Sequence, residues 1–183
     1  MTCIAGIVQN GIVYMGADSA ASSGLTLRTR TDEKVFVKGE YIIGFTSSFR
    51  MGQLLRYHLI VERRSTDMDT FEFMVTKFVE AVRKCLTTGG YAHKKDDVEG
   101  AGTFLVGYNG RLFTIYSDYQ VAENRSAFSA VGCGEDIALG ALFSNDHLTP
   151  SERISQALEA AEQFSAGVRH PFIQRELKKE GGN

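Results

Sequence analysis

The first 45 residues alternate between short apolar runs and turn signals. Thr2 to Val8 is mixed apolar and suits a strand. Gln9-Asn10-Gly11 carries the Asn-Gly pair of a two-residue hairpin, and Ile12 to Gly16 reads as the returning strand. Asp18 to Gly24 is a run of small residues, after which Leu25, Leu27 and Thr29 alternate with polar neighbours. Lys34 to Val37 and Tyr41 to Phe45 flank a turn at Lys38-Gly39-Glu40. Five short strands therefore open the chain.

The apolar period then changes to that of helices. Met51, Leu54, Leu55, His58 and Leu59 share one face of a helix expected over 48–63, with Ser47 or Ser48 as N-cap. A second helix is expected over 66–88, with Phe71, Val75, Phe78, Val82 and Leu86 as its stripe and Gly89-Gly90 as its stop. Tyr91 to Gly102 reads as a charged, mobile loop. Thr103 to Tyr108, Asn109-Gly110 and Arg111 to Tyr116 form the strongest hairpin signal. Another strand is expected before Val131-Gly132-Cys133-Gly134, followed by a helix through Ile137, Leu139, Ala141 and Leu142. The last helix starts with Thr149 as cap, Pro150 at its first position and Glu152 completing a capping box. The tail from about 169 to 183 is expected to fray.

The order is strands, two helices, strands, two helices, with no βαβ alternation. That disfavours a doubly wound parallel sheet. It predicts an α+β fold: a four-layer α-β-β-α sandwich with two antiparallel sheets, in one domain over residues 1–183.

Composition narrows the function. The chain has 183 residues, 43% hydrophobic and 23% charged, which places it among globular proteins. Twenty basic and 22 acidic residues leave a net charge of -2, which gives no reason to expect nucleic acid or an anionic membrane as partner. No apolar run approaches a membrane span and no basic leader precedes the first strand, so a cytoplasmic protein is expected. Cys3, Cys85 and Cys133 are widely spaced and form no C-x-x-C pair, which argues against a disulfide framework or zinc ribbon. Cys3 and Cys85 read as small core residues. His58, His93, His147 and His170 have no metal-ligand spacing, so neither a metal nor a cofactor is expected. Arg28 and Arg30 are expected to face solvent or a neighbouring subunit.

Chemistry is left to the start of the chain. Once Met1 is removed, Thr2 carries a hydroxyl and a free α-amine. Such an amine has an ordinary pKa of about 7.7 to 8.0, so near neutral pH a good part of it is a free base. It can take the proton of the adjacent hydroxyl, which makes the residue its own nucleophile and base.

The surrounding pattern is similar to one family. Thr2-x-x-x-Gly6, Gly16-Ala17-Asp18-Ser19, Glu33-Lys34-Val35 and Ile43-Gly44-Phe45 resemble the N-terminal half of proteasome β subunits and HslV-type peptidases, the N-terminal nucleophile hydrolases. Ala130 to Gly134, with Ala138 and Leu142, resembles that family's Gly-Ser-Gly motif and the helix behind it. Glu162-x-x-Ser165-x-Gly167 resembles its Asp-x-x-Ser-Gly-Gly segment. The likeness runs from residue 2 to about 168.

The resemblance implies a role for each matched position. Thr2 is the nucleophile. Lys34 lowers the effective pKa of its hydroxyl and relays the proton, and Asp18 holds Lys34 charged and oriented. The Gly44 N–H stabilises the oxyanion. Ser165 and Glu162 orient the Thr2 amine. Cys133 stands where the family has serine and is a weaker hydrogen-bond partner, and Glu162 is one methylene longer than the family's aspartate. The resemblance also implies polypeptide substrates, a homo-oligomer built as a ring, stacked rings or a spiral, and an ATP-dependent unfoldase as partner. Two other functions share these residues: an amidase acting on a small amide, and a catalytically silent scaffold subunit.

Overall fold

Residues 1–95 and 98–179 are described by a computed structural model of the chain. β1 (Cys3–Gln9) and β2 (Ile12–Ala17) form the opening hairpin. Its turn residues, Asn10 and Gly11, have φ of 52° and 73°, the positive pair that a type I′ turn demands and an Asn-Gly sequence accepts. β12 (Phe128–Gly132) pairs with the free edge of β1, and β13 (Ile173–Lys178) with that of β2. The first sheet thus has the order β12-β1-β2-β13, antiparallel throughout.

The second sheet has the order β11-β10-β9-β6-β5. Its strands are β5 (Val35–Lys38), β6 (Tyr41–Phe45), β9 (Phe104–Tyr108), β10 (Arg111–Ile115) and β11 (Val121–Ala122). Asn109 and Gly110 close the β9–β10 hairpin in the same I′ manner, at φ of 50° and 72°.

Side-chain alternation sorts the strands into layers. Ile4, Val13, Met15, Val35, Ile42, Leu105 and Leu112 fill the space between the two sheets. Cys3, Ala5 and Ile7 point the other way, onto α4 (Glu135–Ser144) and α5 (Pro150–Phe164). Tyr41, Ile43 and Phe45 face α1 (Phe49–His58) and α3 (Val79–Thr88). Strands buried on both faces read as continuous apolar runs, which is why β1 and β6 show little alternation in sequence. The four-layer α-β-β-α sandwich predicted from element order is the observed fold. No helix among the described residues is long and apolar enough to cross a membrane.

Boundaries differ from expectation at several places. The first helix stops at His58, with Leu59 already extended, so residues 59–63 are not helical. The second begins at α2 (Thr70–Phe73), capped by Asp69, whose carboxylate accepts the Phe71 and Glu72 N–H groups. A π turn (Met74–Phe78) joins α2 to α3. Met74, Phe78, Val82 and Leu86 are all buried, and a four-residue spacing slips about 40° per step on an ordinary helix. Unwinding one turn into a π turn helps keep these four on the sheet. It leaves Phe71 and Val75, expected on that face, 37% and 39% exposed.

The small-residue run contains a strand not expected there: β3 (Ala20–Ser23), hairpinned through Gly24 to β4 (Thr26–Thr29). In the segment read as a loop, β7 (His93–Lys95) pairs with β8 (Val98–Gly100), and residues 96–97 lie outside the described part. The tail is not frayed over 173–178, because β13 completes the first sheet with Ile173 and Leu177 packed on the inter-sheet core. Residues 180–183 lie outside the described part.

Candidate active site

The site forms where β1 starts, β2 ends and β5 begins. Asp18 follows the last residue of β2 and is 1% exposed. Its carboxylate accepts four hydrogen bonds: Oδ1 from the Cys3 N–H at 3.0 Å and Lys34 Nζ at 2.8 Å, Oδ2 from the Ala20 N–H at 2.8 Å and the Arg169 N–H at 3.3 Å. One side chain thereby ties the backbone next to Thr2 to Lys34, to the start of β3 and to the loop after α5.

Lys34 is 2% exposed. Burial pulls its ammonium below the ordinary lysine value, and the Asp18 charge and hydrogen bond oppose that pull. Expected Asp18–Lys34 pairing is therefore present as a buried ion pair. Cys3, beside it, has its thiol pushed up to about 12, first by burial and then by the Asp18 charge, so it stays protonated and inert.

Thr2 is 5% exposed and shares a cleft of about 550 Å³ with Lys34, Ala20, Ala21, Thr46, Ser47 and Phe49. Its N–H donates to Cys133 Sγ at 3.3 Å, and Ser165 Oγ donates to the same sulfur at 3.3 Å. The chain Ser165–Cys133–Thr2 links the end of α5 to the residue before β1. Met1 lies across this corner: the Thr2 hydroxyl donates to the Met1 carbonyl at 2.5 Å, and a Cβ on Gly167 would sit 2.2 Å from Met1 Cβ. With Met1 attached, the Thr2 nitrogen is an amide and cannot act as a base.

Gly132 explains the tight approach of β12. Its φ is +104° and an added Cβ would meet the Thr2 carbonyl oxygen at 2.2 Å, so this position demands glycine twice over. The Gly132-Cys133-Gly134 motif visible in the sequence thus has a steric reason at its first glycine.

Two expected site residues sit elsewhere. Gly44 does not line the cleft. It lies inside β6 opposite both Val35 and Leu105, and a Cβ there would meet Ile4 Cγ2 at 2.5 Å and Met15 Sδ at 2.6 Å. The position is glycine because the two sheets close on it, not because substrate does. Glu162 is turned away from Thr2. Its Oε1 accepts the His170 N–H at 3.0 Å and faces His170 Nδ1 at 2.8 Å; the His170 N–H leads in holding the carboxyl below the usual carboxylate range. Its role is to pin the loop whose Arg169 N–H reaches Asp18.

The backbone facing the cleft is instead the turn after β6. Phe45 N–H goes to Lys34 O and Thr46 N–H to Thr103 O. Ser47 then adopts φ +65°, and Ser48 N–H reaches back to Thr46 O at 2.7 Å, a γ-turn of the strained hand. Ser47 N–H has no hydrogen-bond partner among the described residues. Ser47 Oγ accepts the Thr103 N–H at 3.1 Å and holds the turn in place. In sequence, Ser47 and Ser48 between a buried strand and a helix signal an N-cap. Ser48 does cap α1 through Arg50 N–H.

No family model matches this chain, nor does any curated protein sequence. Solved structures do. A BPH protein of Thiobacillus denitrificans superposes with a TM-score of 0.80 at 19% identity, covering 99% of this chain and 100% of that one. A eukaryotic HslV from Trypanosoma brucei gives 0.68 at 14% identity over 97% and 99%. Anbu, an ancestral beta-subunit from Yersinia bercovieri, gives 0.65 at 16% over 97% and 82%. The fold of this chain is that of the proteasome-like N-terminal nucleophile hydrolases, as the sequence resemblance implied.

Proposed function

We propose that the chain is a threonine peptidase that acts once Met1 is removed, with Thr2 as nucleophile. The observation that carries this reading is the buried Lys34–Asp18 pair. An ion pair that costs several kcal/mol to desolvate is placed at the lip of the one corner where a hydroxyl and a chain start meet.

The freed α-amine, in its neutral form, takes the Thr2 hydroxyl proton as Oγ attacks the substrate carbonyl carbon. The Lys34 charge favours the developing alkoxide. The oxyanion is taken by the Ser47 N–H, the one amide of the 46–48 turn with no partner among the described residues, an interaction worth about 3 kcal/mol. Collapse breaks the C–N bond, and the Thr2 ammonium returns the proton to the leaving amine. Water, deprotonated by the same amine, then hydrolyses the Thr2 ester. Cys133 and Ser165 orient that amine. The site as drawn asks for no metal or cofactor.

The cleft of about 550 Å³ suits a peptide segment rather than a small amide. Exposed Leu25, Tyr57, Ile60, Phe143 and Phe164 support burial against further copies in a homo-oligomer, and an unfolding ATPase would then deliver polypeptide to an enclosed site. A cytoplasmic setting fits such a partner. The test is hydrolysis of fluorogenic peptides by protein shown by intact mass to begin at Thr2. Turnover that vanishes in Thr2→Ala supports the reading. Equal turnover by Thr2→Ala, or no turnover of peptides while small amides are cleaved, overturns it.

A further inference from the structure

The cleft has a charge that the catalytic reading does not use. Three cationic side chains line it: Lys34, Arg30 and Arg28. Lys34 is spent on Asp18. Arg30 is spent twice, in a two-point ion pair with Asp32 at 2.6 Å on each arm and in a stack over the Phe49 ring at 4.0 Å. The Arg28 guanidinium has neither a hydrogen bond nor an ion pair among the described residues, and no carboxylate lines the cleft.

Register places this guanidinium on the inner wall. In the β3–β4 hairpin Ala21 lies opposite Arg28 and Ser23 opposite Thr26. These four share one face of the pleat and all four line the cleft; along β4 the lining alternates, with Thr26 and Arg28 in the wall and Leu27 and Thr29 outside it, while Ala20 and Ser22 of β3 also reach it. The wall around Arg28 is built of small residues: Ala21, Ser22, Ser23 and Thr26. It leaves room for an incoming side chain.

We propose that Arg28 is a specificity-determining residue that receives an acidic side chain of the peptide, so that the preferred substrates carry Glu or Asp at one position near the bond cut. The inference rests on the peptidase reading given above and names its substrate class. Arg supplies a planar fork that a carboxylate meets with two parallel hydrogen bonds. The fixed Arg30–Asp32–Phe49 wall beside it keeps the neighbouring charge neutral, so Arg28 sets the sign of this part of the cleft.

The experiment scans Glu against Gln through each position flanking the scissile bond of a fluorogenic peptide, using protein that begins at Thr2. At one position Glu raises kcat/KM about fivefold over Gln, and 0.5 M salt shrinks the difference. Arg28→Gln removes the preference and Arg28→Glu turns it toward Lys, with thermal melts confirming that both variants fold. Equal cleavage of Glu and Gln peptides at every position, or a preference that survives Arg28→Gln, overturns the proposal and leaves the peptidase reading standing. If no peptide is turned over, fluorescence anisotropy of labelled Glu and Gln peptides on Thr2→Ala protein reads Arg28 separately from catalysis. Tighter Glu binding that is lost in Arg28→Gln supports the assignment, and equal binding refutes it.

Discussion

At the scale of single residues, Asp18 and Lys34 dominate. Removing one partner of a buried pair strands the other, which costs about 3–5 kcal/mol. Asp18→Asn should lower stability by that order and abolish peptide cleavage. It also removes from Lys34 the group that most strongly opposes its desolvation, so the folded-state pKa of Lys34 falls further below its unfolded value. A lysine of depressed pKa releases its proton on folding between the two values, so the unfolded state binds more protons there and stability rises with pH. Chemical denaturation of Asp18→Asn should therefore show a larger gain in stability from pH 7 to 10 than the parent protein shows. Cys133 gives a second expectation. Its thiol is exposed and touches the Thr2 nitrogen, so iodoacetamide should block activity in the parent and spare Cys133→Ser. Cys133→Ser should itself cleave peptides at least as fast, because a hydroxyl is the stronger partner for the amine.

Among the elements, β6 and the turn after it decide what glycine and serine mean. Gly44→Ala would drive a methyl group into Ile4 and Met15 and should cost about 1–3 kcal/mol by thermal melting, through sheet separation rather than loss of a catalytic amide. From sequence, Gly44 resembled a substrate-facing glycine because both demands exclude a side chain. Spacing alone cannot tell a facing sheet from a ligand. The hairpins at Asn10-Gly11 and Asn109-Gly110 were legible because a type I′ turn has few sequence solutions, and the Thr149–Glu152 capping box for the same reason. β3 was not, because Ala20 to Ser23 has little strand propensity and is held by pairing with β4. β13 was hidden by charge: Arg175, Glu176 and Lys178 mask the alternation of Ile173 and Leu177, which an edge strand with one buried face needs. The role of Glu162 was obscured because its partner, His170, lies across a loop.

For the whole molecule, the sandwich explains why so few positions specify the site. Both sheets deliver strand ends to one corner, where Thr2, Asp18, Lys34 and the 46–48 turn converge, and Cys133 and Ser165 enter from the helical side. Exposed Ile60, Phe143 and Phe164, at 84%, 75% and 77%, lie on a chain that already has a full core. Sedimentation equilibrium should give a mass several times 20.1 kDa, and a 20.1 kDa monomer would remove the support for an enclosed chamber. The claim beneath all of this is that Thr2 acts with its own amine. A peptide epoxyketone offers two adjacent electrophilic carbons, suited to a hydroxyl and an amine on one residue. Such a compound added to protein beginning at Thr2, followed by intact mass and peptide mapping, is the most direct measurement. One equivalent joined to the Thr2 peptide, absent in Thr2→Ala and in chains that keep Met1, is the predicted result. An unmodified Thr2 peptide in protein that still cleaves peptides would contradict the account.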